Sequence, residues 1–293
     1  MSDTTDISGN LFDTINSIFA SIFSSVDNKI YEALDDVAFI KPGILFQTPF
    51  LKIFGESAFE GMLLVANSLV AGFVLIYVVT YLFSHVTNAK VQNPVQFILK
   101  TIIFVAIMNN SRWICSEIIN IVSLISKAIC EIGSNVLGQE ISFSNFITQI
   151  NNIMYSTQTS IEITSFDGII KTFVTIGFMN LIFSYALRYI MIQVFILIFP
   201  IGILTLINTK TEWIFKSIGK AFISLLFEQV LISLILLLAF SFSFSNSDTM
   251  SKILYIGIIY ALMKTNTYMY MIFGGISTSI SNGIGMLSGR ITQ

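Results

Sequence analysis

Long apolar stretches, separated by shorter polar ones, form the dominant pattern of the chain. The longest stretch, 169–207, contains 39 residues and only two charged side chains, Lys171 and Arg188. A continuous helix of that length would measure about 58 Å, nearly twice the ~30 Å thickness of the hydrocarbon core of a bilayer. A soluble domain has no interior large enough to bury such a stretch. The pattern therefore predicts an integral membrane protein organised around this segment.

Other apolar stretches join this one in a predicted membrane domain over 58–273. A single crossing of 169–207 is favoured over two crossings, because no Gly or Pro stands next to Arg188 to form a turn. The stretch 95–113 is short and contains Lys100, so it fits either a span or a re-entrant segment. The expected fold is all-α, a polytopic helical membrane protein with about five transmembrane helices. The predicted spans are 58–83, 95–113, 169–207, 221–244 and 253–273.

Polar segments flank and interrupt this membrane domain. Residues 1–57 form an acidic N-terminal region, in which the apolar positions between 11 and 30 follow the spacing of an amphipathic helix. Residues 114–132 have a second amphipathic pattern, which fits a helix on the membrane surface or an extension of the preceding helix. Residues 133–168 are rich in Ser, Thr and Asn and are predicted to form a loop, and 274–293 a flexible tail.

Composition narrows the class of protein further. The chain is 54% hydrophobic and 11% charged, whereas ordinary globular domains contain about 25% charged residues. Cys115 and Cys130 would lie about 22 Å apart on one straight helix, too far for a disulfide, so they are expected to be free thiols. With His85 as the single histidine, no metal or cofactor site is expected. No nucleotide-binding loop, metalloprotease motif or nucleophile elbow suggests an enzyme.

Basic residues predict the orientation in the membrane. With about five spans, the segments 84–94, 208–220 and 274–293 share one side, which has more basic residues for its length than the other side. The chain is expected in the cytoplasmic (inner) membrane of a cell. The positive-inside rule then places the more basic side in the cytoplasm. The N-terminus is then outside and the C-terminus inside. The basic residues concerned are Lys90, Lys210, Lys216, Lys220 and Arg290.

Among the charged residues of the predicted spans, three lie well inside the long ones: Arg188, Glu228 and Lys264. Ionisable side chains within a membrane are normally paired or face water. If 245–251 turns the last two spans into an antiparallel hairpin, Glu228 and Lys264 differ in depth by roughly 9 Å, which long side chains bridge. An ion pair between these two residues is the favoured interpretation. Lining of a water-filled conduit and a proton-coupling site are the alternatives.

Two features mark the end of the long apolar segment. Pro200, followed by Gly202, is expected to kink or end its helix near Phe199 and to turn the following residues along the membrane interface; a gating hinge is the alternative. The segment 208–220 is interpreted as an amphipathic cytoplasmic linker, either anchored at the interface by tryptophan or docking a cytoplasmic partner. The residues of this linker at helical spacing are Trp213, Lys216 and Lys220.

The order of these features is itself informative. An acidic external region, about five spans, a very long apolar segment with Arg188 at its centre and Pro200 later, a basic linker with Trp213 and a small-residue tail follow one another. In this layout, over 58–273, the chain resembles the TrbL-type polytopic inner-membrane proteins of type IV secretion and conjugation machines. The use of Ile and Asn is typical of an AT-rich Gram-positive bacterium.

The resemblance implies a non-enzymatic channel subunit. Several copies would form a homo-oligomer in the lipid bilayer, as the membrane part of a conduit that exports DNA or protein. Separate ATPases and other secretion subunits would be its partners. A secondary transporter or channel for small solutes is the main competing interpretation, although that class usually has inverted repeats and helices broken at mid-membrane. A membrane scaffold without a conduit is the other.

Overall fold

A computed structural model describes residues 34–87, 93–155, 166–242 and 249–274 of the chain. Within these ranges the chain is helical apart from short connections and contains no strand, which confirms the predicted all-α class.

Three predictions fall wholly or mostly outside those ranges. They are the amphipathic helix at 11–30, the turn at 245–251 and the tail after Gly274.

Within the described ranges, five long helices form the body of the protein, and shorter ones connect or brace them. The helices are α1 Pro42–Leu45, α2 Thr48–Phe54, α3 Gly61–Thr87, α4 Pro94–Asn109, α5 Ser111–Leu137, α6 Phe143–Tyr155, α7 Phe166–Leu204, α8 Glu212–Ser241 and α9 Thr249–Phe273, with a 3-10 turn Thr205–Ile207 after α7. A further helical turn covers 34–38. At 39 residues, α7 is the unusually long helix that the sequence predicts.

Among the described residues, four helical segments are long and apolar enough to cross a membrane, so the chain is a polytopic helical membrane protein. In each of the central ones, Ile176–Ile207 and Glu212–Ser241, 56% of the most apolar 18-residue stretch is buried inside the protein. The corresponding buried share is only 11% in Gly61–Val86 and 22% in Ser111–Leu137. Since apolar surface that the protein leaves uncovered must face lipid, α7 and α8 form the centre and α3 lies at the periphery.

The predicted span 95–113 is wrong as a single helix. It is divided at Asn110, whose φ of −95° and ψ of 9° separate α4 from α5. The side-chain amide of Asn110 donates to the carbonyl oxygen of Ala106, and that of Asn109 donates to Val105. Such local side-chain bonds compete with the helix ladder, which explains a helix end in an otherwise apolar stretch.

The predicted loop at 133–168 is also wrong over most of its described part. Helix α5 runs through the amphipathic segment and ends at Gly138, which adopts a left-handed φ of 69°. Helix α6 follows because apolar residues recur at helical spacing among its Ser, Thr and Asn residues. These core residues are Phe143, Phe146, Ile147 and Ile150.

Helix α7 continues through Pro200 instead of ending near Phe199. It ends at Leu204, followed by the 3-10 turn, and Pro200 is buried inside the helix. Gly202 lies where a Cβ atom would be 3.3 Å from Ile218 Cδ1 of α8. The chain after Pro200 therefore packs against the beginning of α8. Most of the predicted linker 208–220 belongs to α8 itself, which begins at Glu212.

Helix α9 covers the predicted span 253–273, but it is not among the four described helices that are both long and apolar enough to cross a membrane. Three consecutive polar residues, 265–267, and several tyrosines lower its hydropathy.

Residues 34–54, called the inserted segment below, pack into the bundle. Ala38, Ile40 and Phe54 are completely buried in the two hydrophobic clusters of the core. Glycines at positive φ, Gly55 at 108° and Gly61 at 52°, form the tight connection to α3; at each a Cβ atom would collide with a backbone carbonyl. The described part of the predicted N-terminal region is thus part of the helical core.

Candidate functional site: a buried polar layer

Polar side chains divide the apolar core into two clusters. On α7, Arg188 lies between Tyr185 of one cluster and Ile192 of the other. On α8, two polar residues take the corresponding place, and α9 contributes two more. We call these residues the polar layer, and each is at most 4% exposed. They are Arg188, Glu228, Gln229, Thr265 and Asn266.

Arg188 connects three parts of the chain. Its Nε atom donates to the carbonyl oxygen of Leu225 on α8 at 2.9 Å, and Nη1 donates to the carbonyl oxygen of Ala38 at 3.2 Å. Nε also lies 3.8 Å from Glu228 Oε2, in an ion pair whose side chains are 0% and 1% exposed. The guanidinium thus satisfies backbone carbonyls directly, and the carboxylate compensates its charge from slightly farther away.

Glu228 is held by α9. Its Oε1 accepts from Thr265 Oγ1 at 2.9 Å and its Oε2 from Asn266 Nδ2 at 3.1 Å. A buried carboxylate needs such donors as well as an opposite charge, because it has lost its hydration. Thr265 and Asn266 therefore join α9 to the layer.

Gln229 binds the inserted segment. Its Oε1 accepts the backbone N–H of Ile40 at 3.0 Å, while its fully buried Nε2 has no hydrogen-bond partner among the described residues. Next to Arg188 in the sequence, the Tyr189 hydroxyl donates to the carbonyl oxygen of Ile44 at 3.3 Å. Backbone groups of the inserted segment, which would otherwise be unpaired in an apolar core, are thus satisfied by α7 and α8.

The structure places Lys264 outside the polar layer. Its Nζ lies 5.7 Å from the ring centroid of Tyr260, one turn earlier on the same helix, and among the described residues it forms no ion pair with Glu228. The predicted ion pair between Glu228 and Lys264 was based on their depths in the membrane, which depend only on the rise along each helix. Each residue also rotates the side chain by about 100°, so Thr265 and Asn266 face Glu228 and Lys264 does not.

The residues predicted at the end of α7 also lie apart from the layer. Trp213 is 65% exposed, in a position suited to a membrane interface. Lys216 pairs with Glu212 one turn earlier, at 2.8 Å. With Lys220, they occupy the first turns of α8, whereas Pro200 is buried within α7.

An acidic residue of the inserted segment caps α6. Asp35 accepts the backbone N–H groups of Phe143 at 2.7 Å and of Ser144 at 3.1 Å, in the arrangement of a helix N-terminus bound by an anion. Burial raises the pKa of Asp35 above its ordinary value, an effect that these two hydrogen bonds only partly offset. This contact fixes the start of α6 to the inserted segment.

Hydrogen bonds join Arg188 and Glu228 to the inserted segment, α8 and α9. Nη2 of Arg188 is buried without a hydrogen-bond partner among the described residues. Within those same ranges, no three His, Cys, Asp or Glu residues are grouped to hold a metal. Cys115 and Cys130 are both free, as expected.

Sequence reasoning missed three members of the layer and the inserted segment. Gln229 follows Glu228 in an apolar stretch, and Thr265-Asn266 interrupts another, so both had a local signal. The backbone contacts at Ala38 and Ile40 had none, because they join positions 150 and 189 residues apart.

Comparison of the chain with protein-family models, with curated proteins and with solved structures gave no match.

Proposed function

We propose that this chain is a membrane-embedded structural subunit of a bacterial type IV secretion (conjugation) machine. Several copies, together with other subunits, would enclose the conduit for DNA or protein, and separate ATPases would drive export. In this proposal the chain lies in the cytoplasmic membrane with its N-terminus outside and its C-terminus in the cytoplasm, in accordance with the positive-inside rule.

The observation that carries the proposal is the enclosure of the charged pair Arg188 and Glu228 within the polar layer. A conduit within one chain would need its charged groups to face water, as is usual for ionisable residues on transport paths. Arg188 and Glu228 instead are 0% and 1% exposed and are bonded to surrounding segments. A conduit is therefore better placed between copies than inside one copy, which favours an oligomeric subunit over a small-solute transporter.

The peripheral helices agree with such an assembly. Apolar side chains of α3 and α4 remain uncovered, including Leu75 at 64% and Ile102 at 62% exposure. Lipid covers this surface in a single copy, and neighbouring subunits have room to replace lipid there.

The first test measures assembly. The full-length chain is extracted from membranes of its own host in a mild detergent, and its mass and co-purifying proteins are determined. We expect several copies in one particle, together with secretion ATPases. A strictly monomeric protein that brings no ATPase with it would overturn the proposal.

A second test separates a structural layer from a transport path. The double variant Arg188→Met/Glu228→Gln lacks both charges, and Lys264→Gln is the matched control, which removes a charge outside the layer. We expect cells with the double variant to transfer conjugative DNA at a frequency within about tenfold of cells with the wild-type protein, when protein levels are matched. The reason is that a structural ion pair is replaceable by neutral residues. Complete loss of transfer by a stably folded double variant would favour a transporter or a proton-coupled mechanism.

A further inference from the structure

A polar cavity enters the bundle beside the inserted segment. Its volume is about 280 Å³, and it lies between the inserted segment, α5, the connection from α5 to α6, and α8. Five charged side chains line it: Asp36, Lys41, Lys127 and Glu140 are exposed and form its mouth, whereas Asp35 is half-buried. The cavity is therefore open at the protein surface.

The floor of the cavity is polar and deeply buried. Ser126 of α5 and Gln229 of α8 line it and are 2% and 0% exposed. Gln229 lies within α8, about 18 Å along the helix axis from Ser241 and about 26 Å from Glu212. The cavity thus reaches the polar layer near the middle of a helix that is long and apolar enough to cross a membrane.

Two observations indicate what fills this space. Gln229 Nε2 is a buried donor without a partner among the described residues, and a buried donor that has lost its hydration without gaining a hydrogen bond is destabilising. The cavity is large enough for several water molecules and offers polar partners from its mouth to its floor.

We propose that this cavity is a water-filled vestibule that brings the aqueous phase from one face of the membrane to Gln229. Gln229 Nε2 is shielded from solvent in the structure, so water from the vestibule binds it when the side chain shifts toward the cavity. The vestibule ends there, because Gln229 Oε1 holds the backbone of Ile40, and the neighbouring Ala38 carbonyl is bound to Arg188. The inserted segment is thus the wall between the vestibule and the charged pair. This inference concerns a single copy and does not depend on the proposed export function.

The test compares two buried serines that differ in access to the cavity. In full-length protein with Cys115→Ala and Cys130→Ala, Ser126→Cys is compared with Ser233→Cys. Ser126 and Ser233 are 2% and 0% exposed, and each donates to a carbonyl of its own helix, but only Ser126 lines the cavity. Sonicated membranes, which present both faces, are treated with a small, permanently charged methanethiosulfonate that does not enter lipid.

We expect the thiol at position 126 to react with the reagent at least about tenfold faster than the thiol at 233. The thiolate is the reactive form, and a thiol beside water ionises more readily than one in apolar surroundings. Equal rates would overturn the vestibule. If Ser126→Cys fails to fold, the native thiols replace it: Cys130 lines the cavity, whereas Cys115 on the same helix is completely buried. Labelling of Cys130 in Cys115→Ala protein and none of Cys115 in Cys130→Ala protein supports the vestibule; an unreactive Cys130 overturns it.

Discussion

Removal of the charge of Glu228 is the most direct test of the polar layer. In Glu228→Gln the side chain keeps its shape, but the positive charge of Arg188 is left in an apolar core with no compensating anion. Breaking one side of a buried ion pair costs about 3–5 kcal/mol. For a chain of this size each kcal/mol lowers Tm by roughly 2–4 °C, so we expect a decrease of about 6–20 °C.

The chain provides its own reporter for this measurement. Cys115 is completely buried. In a Cys130→Ser background it is the sole thiol, so a thiol-specific fluorogenic dye follows its exposure on heating in detergent. Lys264→Gln is the matched control. It should change Tm by no more than about 2 °C, because the effect of a substitution outside the core and its ion pairs is usually within about 0.5 kcal/mol.

A double-mutant cycle then isolates the pair. Arg188→Met should be destabilising alone. In Arg188→Met/Glu228→Gln, the decrease in the free energy of unfolding should be smaller than the sum of the two single decreases by at least about 2 kcal/mol, because the second change removes the charge that the first left unpaired. Additive losses, or a Glu228→Gln decrease no larger than that of the Lys264→Gln control, would refute the account of the polar layer given above.

Three further predictions concern other parts of the chain. Gly61→Ala should lower stability by at least about 2 kcal/mol, because it puts a Cβ at positive φ against the Ile53 carbonyl, whereas Gly72→Ala, which meets open space, should be neutral or stabilising in the same thermal assay. Because burial raises the folded-state pKa of Asp35 above 3.8, its contribution to stability is present at low pH and is lost as pH rises through the folded pKa. The difference in Tm between wild type and Asp35→Asn should therefore change over the pH range just above 3.8, and a difference that is constant with pH would contradict this account. A cysteine placed in the tail after Gly274, in protein without the native thiols, should resist impermeant reagents in intact cells; labelling there would reverse the proposed orientation.

Helix α7 illustrates what local pattern predicts and where it stops. Its length and central Arg188 are evident in the sequence, and the structure contains both in one helix. The helix does not end near Phe199, one of the two predicted effects of Pro200, because loss of one backbone bond near a helix end is tolerated when the following residues are packed. Here Gly202 lets Ile218 of α8 approach, and that contact belongs to no local pattern.

The candidate site divides in the same way. Arg188 and Glu228 were identifiable because a charge in an apolar stretch is conspicuous in any window. Their pairing was not, because the partner depends on the rotation of each helix about its axis and on which helices are neighbours. Lys264 has a suitable depth but the wrong direction, and Asn266 has the right one.

By itself, the sequence determined that this is a helical membrane protein, because hydrophobicity is a property of individual residues that sums over any stretch of chain. It also determined the long central helix and the charges inside the apolar stretches. Only the tertiary structure decided that the inserted segment enters the core, that Arg188 rather than Lys264 compensates Glu228, and that a cavity leads to Gln229. Those features depend on contacts between residues as many as 189 positions apart, which hydropathy and helical spacing do not encode.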